Sequence, residues 1–569
     1  MPGFYGLQLF ELGRRISQEV ESHNMLGQMM RFPLTLASLL ARSGRLFGGV
    51  EIVSRLPDKS IYRSNYANIH RRSRALASAL ARAGLGRGER VGSLMWNHAW
   101  HLEAYFGVPL SGGVLHVLNL RLSPDELSYI VNHAGDRMLL IDDVLLPVYE
   151  RLRGKVRLER VIVVPTSGQP VPAGYENYEE FVGQGAEGYE PPQMDENEAA
   201  TMCYTSGTTG VPKGVVYSHR ALVLHAFCIA LPDCFSLSQN DCVMPIVPMF
   251  HVNAWGAPYA ATMIGVKQVL PGPHLDPGSL LELLEREKVT RAAGIPTLWM
   301  GIIEQLERNP GGWKLQPGLL ALIGGQAVPE SMIRALDRHG IEARQAWGMT
   351  ETTPVGTVAV LKGSMSRWPE RERVAVRATQ GIAVPCIEIR AMVAGREAPW
   401  DGRSFGELEL RGPWVAASYY NLPDEQHRWT ADGWFRTGDV VTIDPEGYVR
   451  IVDRAKDLIK SGGEWISSVD LENALMGHAA VREAAVIAVP HPKWGERPLA
   501  AVVLKDGVKA SEEELRSHLA ERFSPWQLPD VFVFLPQIPR TSVGKFQKSK
   551  LRKMFEGWQQ EQSPEGSSG

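Results

Sequence analysis

Cysteine is scarce: five in 569 residues, at positions 203, 228, 234, 242 and 386. None stands in a C-x-x-C pair, which argues against a disulfide frame and a zinc cluster and leads us to expect reduced thiols in a cytoplasmic protein. Long apolar runs are missing as well. Nothing approaches the ~20 residues that a membrane-spanning helix needs. No basic stretch precedes a long apolar one near the N-terminus, so no secretory signal is expected. Net charge is only −3, too small for bulk attraction to nucleic acid. No internal repeat is visible. Apolar (44%) and charged (22%) fractions are those of an ordinary globular protein. The length is too great for one core and calls for three or four packing units.

What is present begins with Tyr204-Thr205-Ser206-Gly207-Thr208-Thr209-Gly210-Val211-Pro212-Lys213-Gly214-Val215. Glycines let backbone N–H groups approach an anion closely, hydroxyls add donors, and Lys213 adds positive charge. The composition suits a nucleotide polyphosphate, although the P-loop spacing G-x-x-x-x-G-K-[ST] is absent. Apolar flanks (Ala199, Ala200 and Met202 before; Val215, Val216 and Tyr217 after) place it between two strands.

Elsewhere helical and strand patterns alternate. Residues 71–83 carry Leu76, Leu80 and Ala83 on one helical face, with Gly84 and Gly86 as the stop. Short apolar runs at Val91–Trp96, Met138–Ile141, Val161–Val164, Val266–Leu270 and Leu319–Ile323 read as buried strands, with helices such as Leu280–Lys288 between them. This predicts an α/β fold of layered subdomains with largely parallel sheets. From about residue 380, Ile387/Ile389 and Leu408/Leu410 alternate with polar residues, as in a small β-rich subdomain. Past Lys456 a compact α+β piece is expected. It has a capping box at Ser467 and Asp470, strands at Ala484–Val489 and Ala500–Leu504, and a helix over Ser511–Phe523. The basic run Lys545, Lys548, Lys550, Arg552 and Lys553 reads as a solvated helix face, apart from Lys545. The resulting division is an N-terminal extension (1–32), a large domain (33–453), a hinge (454–460), a small mobile C-terminal domain (461–553) and a low-complexity tail (554–569).

Four more motifs follow the Gly/Thr loop in order: Gln345-Ala346-Trp347-Gly348-Met349-Thr350-Glu351-Thr352; Gly433-Trp434-Phe435-Arg436-Thr437-Gly438-Asp439; Asp453-Arg454-Ala455-Lys456-Asp457 leading into Lys460-Ser461-Gly462-Gly463-Glu464-Trp465; and Pro539-Arg540-Thr541-Ser542-Val543-Gly544-Lys545. With the loop, they resemble the signatures of the adenylate-forming superfamily, which includes acyl-CoA synthetases, luciferases and peptide-synthetase adenylation domains. From Pro33 to about Lys553 the chain resembles prokaryotic medium- and long-chain fatty acyl-CoA synthetases.

The resemblance implies roles. Thr205, Ser206, Gly207, Thr208, Thr209, Gly210 and Lys213 hold phosphates, with Thr350 contacting one. Glu351 coordinates Mg²⁺ with the Thr205 hydroxyl, a small ligand set of the kind this ion accepts. Asp439 takes both ribose hydroxyls, with Arg454 assisting. Gly324, Gly325 and Gln326, with Gln345, Ala346, Trp347 and Gly348, sandwich adenine; many relatives have Tyr where this chain has Trp347. His251 and Val252 lie where the acyl and nucleotide sites meet, and Trp255 and Gly256 belong to the acyl tunnel. Amino-acid-activating relatives carry an Asp in this motif, whereas this chain has no carboxylate between Pro245 and Thr262. Lys545 stabilises charge as carboxylate and α-phosphate join. Lys456 is the pivot about which the C-terminal domain turns. Lys460 and Trp465 close over the adenylate, and Ser461, Gly462, Gly463 and Glu464 shape the approach of the CoA thiol. The catalytic set is thus Lys545, His251 and Glu351. The expected activity is ATP-dependent ligation of a fatty acid to CoA, with Mg²⁺ as cofactor and ATP and CoA as co-substrates. An aryl or short-chain acid, a carrier-protein acceptor, and a non-catalytic acyl-nucleotide binder stay open. So do peripheral membrane contact and homodimerisation.

Overall fold

The computed structural model describes residues 27–205, 211–454, 457–462, 464–540 and 546–556. Residues up to Leu34 form one unit, and the chain from Thr35 onward forms a second. All that follows concerns the second unit.

Two large sheets carry the N-terminal part. The first has nine strands, and its middle six are parallel: Ile341–Gly348, Leu319–Gly324, Arg291–Gly294, Cys242–Pro245, Lys267–Leu270 and Glu51–Arg55. The second has seven strands, parallel from Glu176–Asn177 across to Ala199–Tyr204. Parallel strands covered on both faces read as unbroken apolar runs. Every residue of Leu319–Gly324 is accordingly buried. The expectation of parallel sheets needs correction at the edges. Gly214–Ser218, Ile61–Asn65, Val355–Val358 and Ile382–Ala383 each pair antiparallel with their inner neighbour. The first three return by short connections that cannot reverse into a parallel crossover, whereas Ile382–Ala383 returns through a longer segment that includes the helix Glu370–Arg377. The helix Tyr66–Arg82 starts five residues earlier than its pattern suggested, where the Asn65 side chain accepts the Asn68 N–H.

A third sheet is antiparallel and five-stranded, and includes Phe405–Arg411, Phe435–Ile443 and Val449–Arg454. Past it lies the small α+β piece. Val481–His491 and Gly495–Leu504 pair along their length there, and alternate residues feed two cores. Val486, Ala500 and Val502 face Leu471 of the helix Ser468–Met476 and Leu515 of Glu512–Ala520. Ile487, Leu499 and Ala501 face Leu551 of Lys548–Met554. The period of two along each strand separates these faces. The expected capping box at Ser467 is half formed. Its hydroxyl accepts the Asp470 N–H at 3.1 Å but donates to the Val452 carbonyl at 2.6 Å. Among the described residues, no helix is long and apolar enough to cross a membrane.

Tyr66 ties the first long helix to the nine-stranded sheet. Its buried hydroxyl donates to the Val266 carbonyl at 2.6 Å and accepts from Gln268 Nε2 at 3.0 Å. Tyr66→Phe leaves a buried carbonyl without its donor. A loss of about 1–3 kcal/mol of stability is expected, read as a lower thermal midpoint. An unchanged midpoint would show that this link is dispensable.

Candidate active site

Open α/β sheets bind ligands beyond the carboxyl ends of their strands, and the candidate residues gather there. Ala199–Tyr204 and Gly214–Ser218 form the stem of the Gly/Thr loop. The stem is locked at its tip: Thr205 N–H donates to the Lys213 carbonyl at 2.9 Å, and Lys213 N–H donates to Thr205 Oγ1 at 3.2 Å. Ser206, Gly207, Thr208, Thr209 and Gly210 lie outside the described residues. Behind the stem, the Tyr204 hydroxyl lies 2.6 Å from His133 Nδ1.

Lys213 Nζ sits 2.6 Å from Glu425 Oε2 and 5.2 Å from the centre of the Tyr419 ring. The hydrogen bond from Lys213 holds the Glu425 carboxyl below the usual range. The Tyr419 hydroxyl donates to Glu351 Oε1 at 2.5 Å, and burial pushes its pKa up. Glu351 is itself buried, in a tight turn just after the strand Ile341–Gly348. The preceding Thr350 carbonyl accepts the Tyr217 hydroxyl at 2.7 Å. Tyr419 and Glu425 therefore join the predicted pair Lys213 and Glu351. Neither falls in a recognised motif, and Tyr419-Tyr420 carries no pattern that would have marked it.

The nucleoside end is organised by Asp439. Its carboxylate is 1% exposed. Oδ2 accepts the Trp347 indole N–H at 3.0 Å, and Oδ1 lies 2.6 Å from Arg454 Nε. Asp439 and Arg454 are direct cross-strand partners, which fixes their approach. The Asp439 charge raises the pKa of Arg454, with a smaller contribution from Glu351. Gly325, Gln326, Gln345, Ala346, Trp347 and Gly348 line one cavity with Asp439 and Arg454; Gly324 does not line it. Trp347 thus donates its ring N–H to this carboxylate as well as lining the cavity. The cavity's far wall comes from the C-terminal piece and includes Phe546, Gln547 and Lys548. Lys545 lies just outside the described residues, as does Lys456.

At the acyl end the backbone does something unforeseen. Val252, Asn253, Ala254 and Trp255 all have φ between +45° and +56°, and Gly256 follows at +73°. This is one turn of left-handed helix, which costs roughly 1–2 kcal/mol per non-glycine residue. Asn253 helps hold it: Nδ2 donates to Thr201 Oγ1 at 3.0 Å, and Oδ1 faces Cys203 Sγ at 3.8 Å. A β-carbon at Gly256 would stand 2.6 Å from His225 Nδ1. Strain of this kind gathers where geometry is functional. The turn follows partly buried His251 and aims buried Trp255 at the adenine side. A β-carbon on Gly324 would meet Trp255 Cη2 at 3.2 Å and the Ala346 carbonyl oxygen at 2.8 Å.

The last group stands apart. Ser461 and Glu464 end the paired strands Ile459–Ser461 and Glu464–Ile466, with Gly462 N–H donating to the Trp494 carbonyl at 2.8 Å; Gly463 lies outside the described residues. Lys460 stacks over Trp465, which is 38% exposed. Neither residue lines the cavity beside Asp439, whose C-terminal wall comes from the helix Ser468–Met476 and the segment Phe546–Ser549.

A nucleoside clamp, a hydroxyl-rich loop stem and a strained apolar turn, closed by a small α+β domain, define an adenylate-forming enzyme. The chain belongs to the AMP-binding enzyme family, matched over residues 49–420, and its C-terminal domain is matched over residues 470–545. It is similar to a long-chain-fatty-acid–CoA ligase of Thermus thermophilus, 50% identical over 93% of this chain and 97% of the relative. It is also similar to a 3-methylmercaptopropionyl-CoA ligase of Ruegeria pomeroyi, 44% identical over 93% and 99%. Among solved structures, an anthranilate CoA ligase in complex with anthranoyl-AMP shares the fold, with a TM-score of 0.83, 24% identity, and coverage of 92% of this chain and 98% of that one.

Gly324→Ala should press on both Trp255 and the strand that carries Trp347. We expect weaker binding of a non-hydrolysable acyl-adenylate analogue, measured by calorimetry, with secondary structure retained. Unchanged affinity would show that the contact yields freely.

Proposed function

We propose that this protein joins a medium- to long-chain fatty acid to CoA in two steps at the expense of ATP. The observation that carries the reading is the apolar turn: His251–Gly256 offers no carboxylate to an ammonium group and packs Trp255 against the adenine wall at Gly324. The 50% identical relative named for long-chain substrates supports the same class of acid. The 44% identical relative acts on a short thioether acid, so chain length is the part of the reading that experiment must decide.

In the first step a fatty carboxylate oxygen attacks the α-phosphorus of ATP. A new P–O bond forms, the bond to the bridging oxygen breaks, and pyrophosphate leaves. Asp439 accepts the ribose hydroxyls while Arg454 and Trp347 hold its carboxylate in place. Lys213, Thr205 and Thr208 hold phosphates, with Lys213 exchanging Glu425 for phosphate oxygens. Lys545 neutralises charge gathering between carboxylate and α-phosphate. Mg²⁺ fits the donor set. Glu351 is a buried carboxylate with one oxygen engaged by Tyr419, Thr205 supplies a hydroxyl, and this ion takes its other ligands from phosphates and water. When bound it would offset phosphate charge.

In the second step the C-terminal domain turns about Lys456, which brings Lys460, Trp465 and the Ser461–Glu464 loop to the adenylate. The CoA sulfur attacks the acyl carbon, the thioester bond forms, AMP leaves, and the thiol proton passes to solvent. A mixed anhydride has a good leaving group, so splitting the reaction eases each part. Unpaired cysteines, four of the five buried, suit the reducing cytoplasm.

Pyrophosphate release with acids from short to long, and with free amino acids, tests the substrate class. Fatty acids should support release, chelation of Mg²⁺ should abolish it, and thioester should appear only with CoA. Turnover of amino acids above fatty acids would overturn the reading. Lys545→Ala should slow adenylate formation on the order of 10²–10³-fold and leave thioester formation from supplied acyl-adenylate largely intact. Equal loss in both half-reactions would remove Lys545 from its assigned role.

A further inference from the structure

One member of the basic run after Lys545 departs from the solvated face its composition implied, while Lys550 and Lys553 are exposed as expected. Lys548 opens the helix Lys548–Met554, yet its side chain is only 13% exposed. Its ammonium lies 2.7 Å from Glu472 Oε1 and donates to Ser468 Oγ at 2.5 Å. Both partners belong to the helix Ser468–Met476 of the C-terminal domain.

The same helix docks across the pivot. Ser468 N–H donates to Asp453 Oδ2 at 3.0 Å, and Ser467 Oγ donates to the Val452 carbonyl at 2.6 Å. Asp453 is buried in the strand Val449–Arg454, which belongs to the larger part. Lys548 thus holds the helix whose Ser468 N–H engages Asp453 on the other side of residues 455–456, and Asp457 is held by Arg552 at 2.6 Å. Burial pushes the Glu472 carboxyl up to about 7 and raises that of Asp453, and Lys548 opposes both shifts.

The segment on either side of Lys545 is anchored to the same place. Gln547 N–H donates to the Pro539 carbonyl at 2.8 Å, and Arg540 Nη2 lies 2.7 Å from Glu483 Oε1. Phe546, Gln547 and Lys548 face the nucleoside cavity together. Turning the domain about Lys456 would separate Asp453 from the helix Ser468–Met476. Lys548 would keep Glu472 and Ser468, while Asp453 would lose the Ser468 N–H and be left a buried carboxylate short of a donor. Such separations are costly in a desolvated site.

We propose that Lys548 is a positioning residue for adenylate formation: by holding Ser468 and Glu472 of one helix of the C-terminal domain, it sets the helix that docks on Asp453 of the larger part, and so favours the orientation in which Phe546, Gln547 and Lys548 line the cavity beside Asp439. This rests on the two-step reading above and on Lys456 as the pivot. It adds an element outside the reacting groups that biases the equilibrium between the two orientations.

The test uses the full chain with Lys548→Met, Lys548→Arg and the double variant Lys548→Met/Glu472→Gln. Two rates are measured, acid-dependent pyrophosphate exchange and CoA-dependent thioester formation from supplied acyl-adenylate. Lys548→Met should lower the maximal exchange rate about tenfold or more, with little change in KM for ATP, and should leave the thioester rate equal or higher. Lys548→Arg should recover most of the exchange. The double variant removes the unpaired Glu472 charge, so it keeps the test open should the single variant fold poorly; it should retain thioester formation and still exchange slowly. Wild-type exchange in either Met-bearing variant, or equal loss of both half-reactions in the folded double variant, would overturn the proposal. If wild-type exchange requires an acid outside the fatty class, the substrate reading fails instead, and the same comparison is made with that acid.

Discussion

A carboxylate buried as deeply as that of Asp439 must find partners within the protein. Its two partners come from different sheets. Trp347 leaves the carboxyl end of the nine-stranded sheet, and Arg454 ends the antiparallel third sheet. Satisfying one side chain therefore fixes how the two layers meet, and the nucleoside cavity is the space left between them. Arg454 is also the last described residue before residues 455–456. The partner of Asp439 thus ends the strand from which the chain runs on into the small α+β piece.

The acyl side is governed by the opposite kind of constraint. Four consecutive non-glycine residues in left-handed conformation oppose folding rather than drive it. The turn persists because its surroundings over-determine it: the amide of Asn253 is engaged on both sides, and His225 fills the space behind Gly256. The result is a tryptophan held against the adenine wall by backbone geometry, a more rigid placement than a side chain on a mobile loop would allow.

Much of this was legible in the sequence, for physical reasons. Strands buried on both faces leave apolar runs such as Leu319–Ile323, and the chemistry of phosphate and ribose binding demands recognisable residue types. The antiparallel edges were not legible, because pairing direction depends on connections and not on composition. The left-handed turn was hidden for a stronger reason, since Val, Ala and Trp disfavour positive φ and only Gly256 hinted at it. Lys548 was read as solvated because its partner Glu472 is distant in sequence, and a charge run carries no sign that one member is buried.

The ion pairs of the site differ in a way that matches what each must do. Asp439 and Glu472 are nearly inaccessible, and removing a partner from either would strand a charge in a desolvated place. Lys213 and Glu425 are both partly exposed, at 20% and 26%, so solvent screens their attraction and either partner can be exchanged at modest cost. Lys213 is oriented by Glu425 and the Tyr419 ring. Tyr419 also donates to Glu351, so the same phenol touches both the lysine and the buried carboxylate. A shift in one is therefore felt by the other through a single side chain, while the Asp439 carboxylate, buried between Trp347 and Arg454, is held on both oxygens.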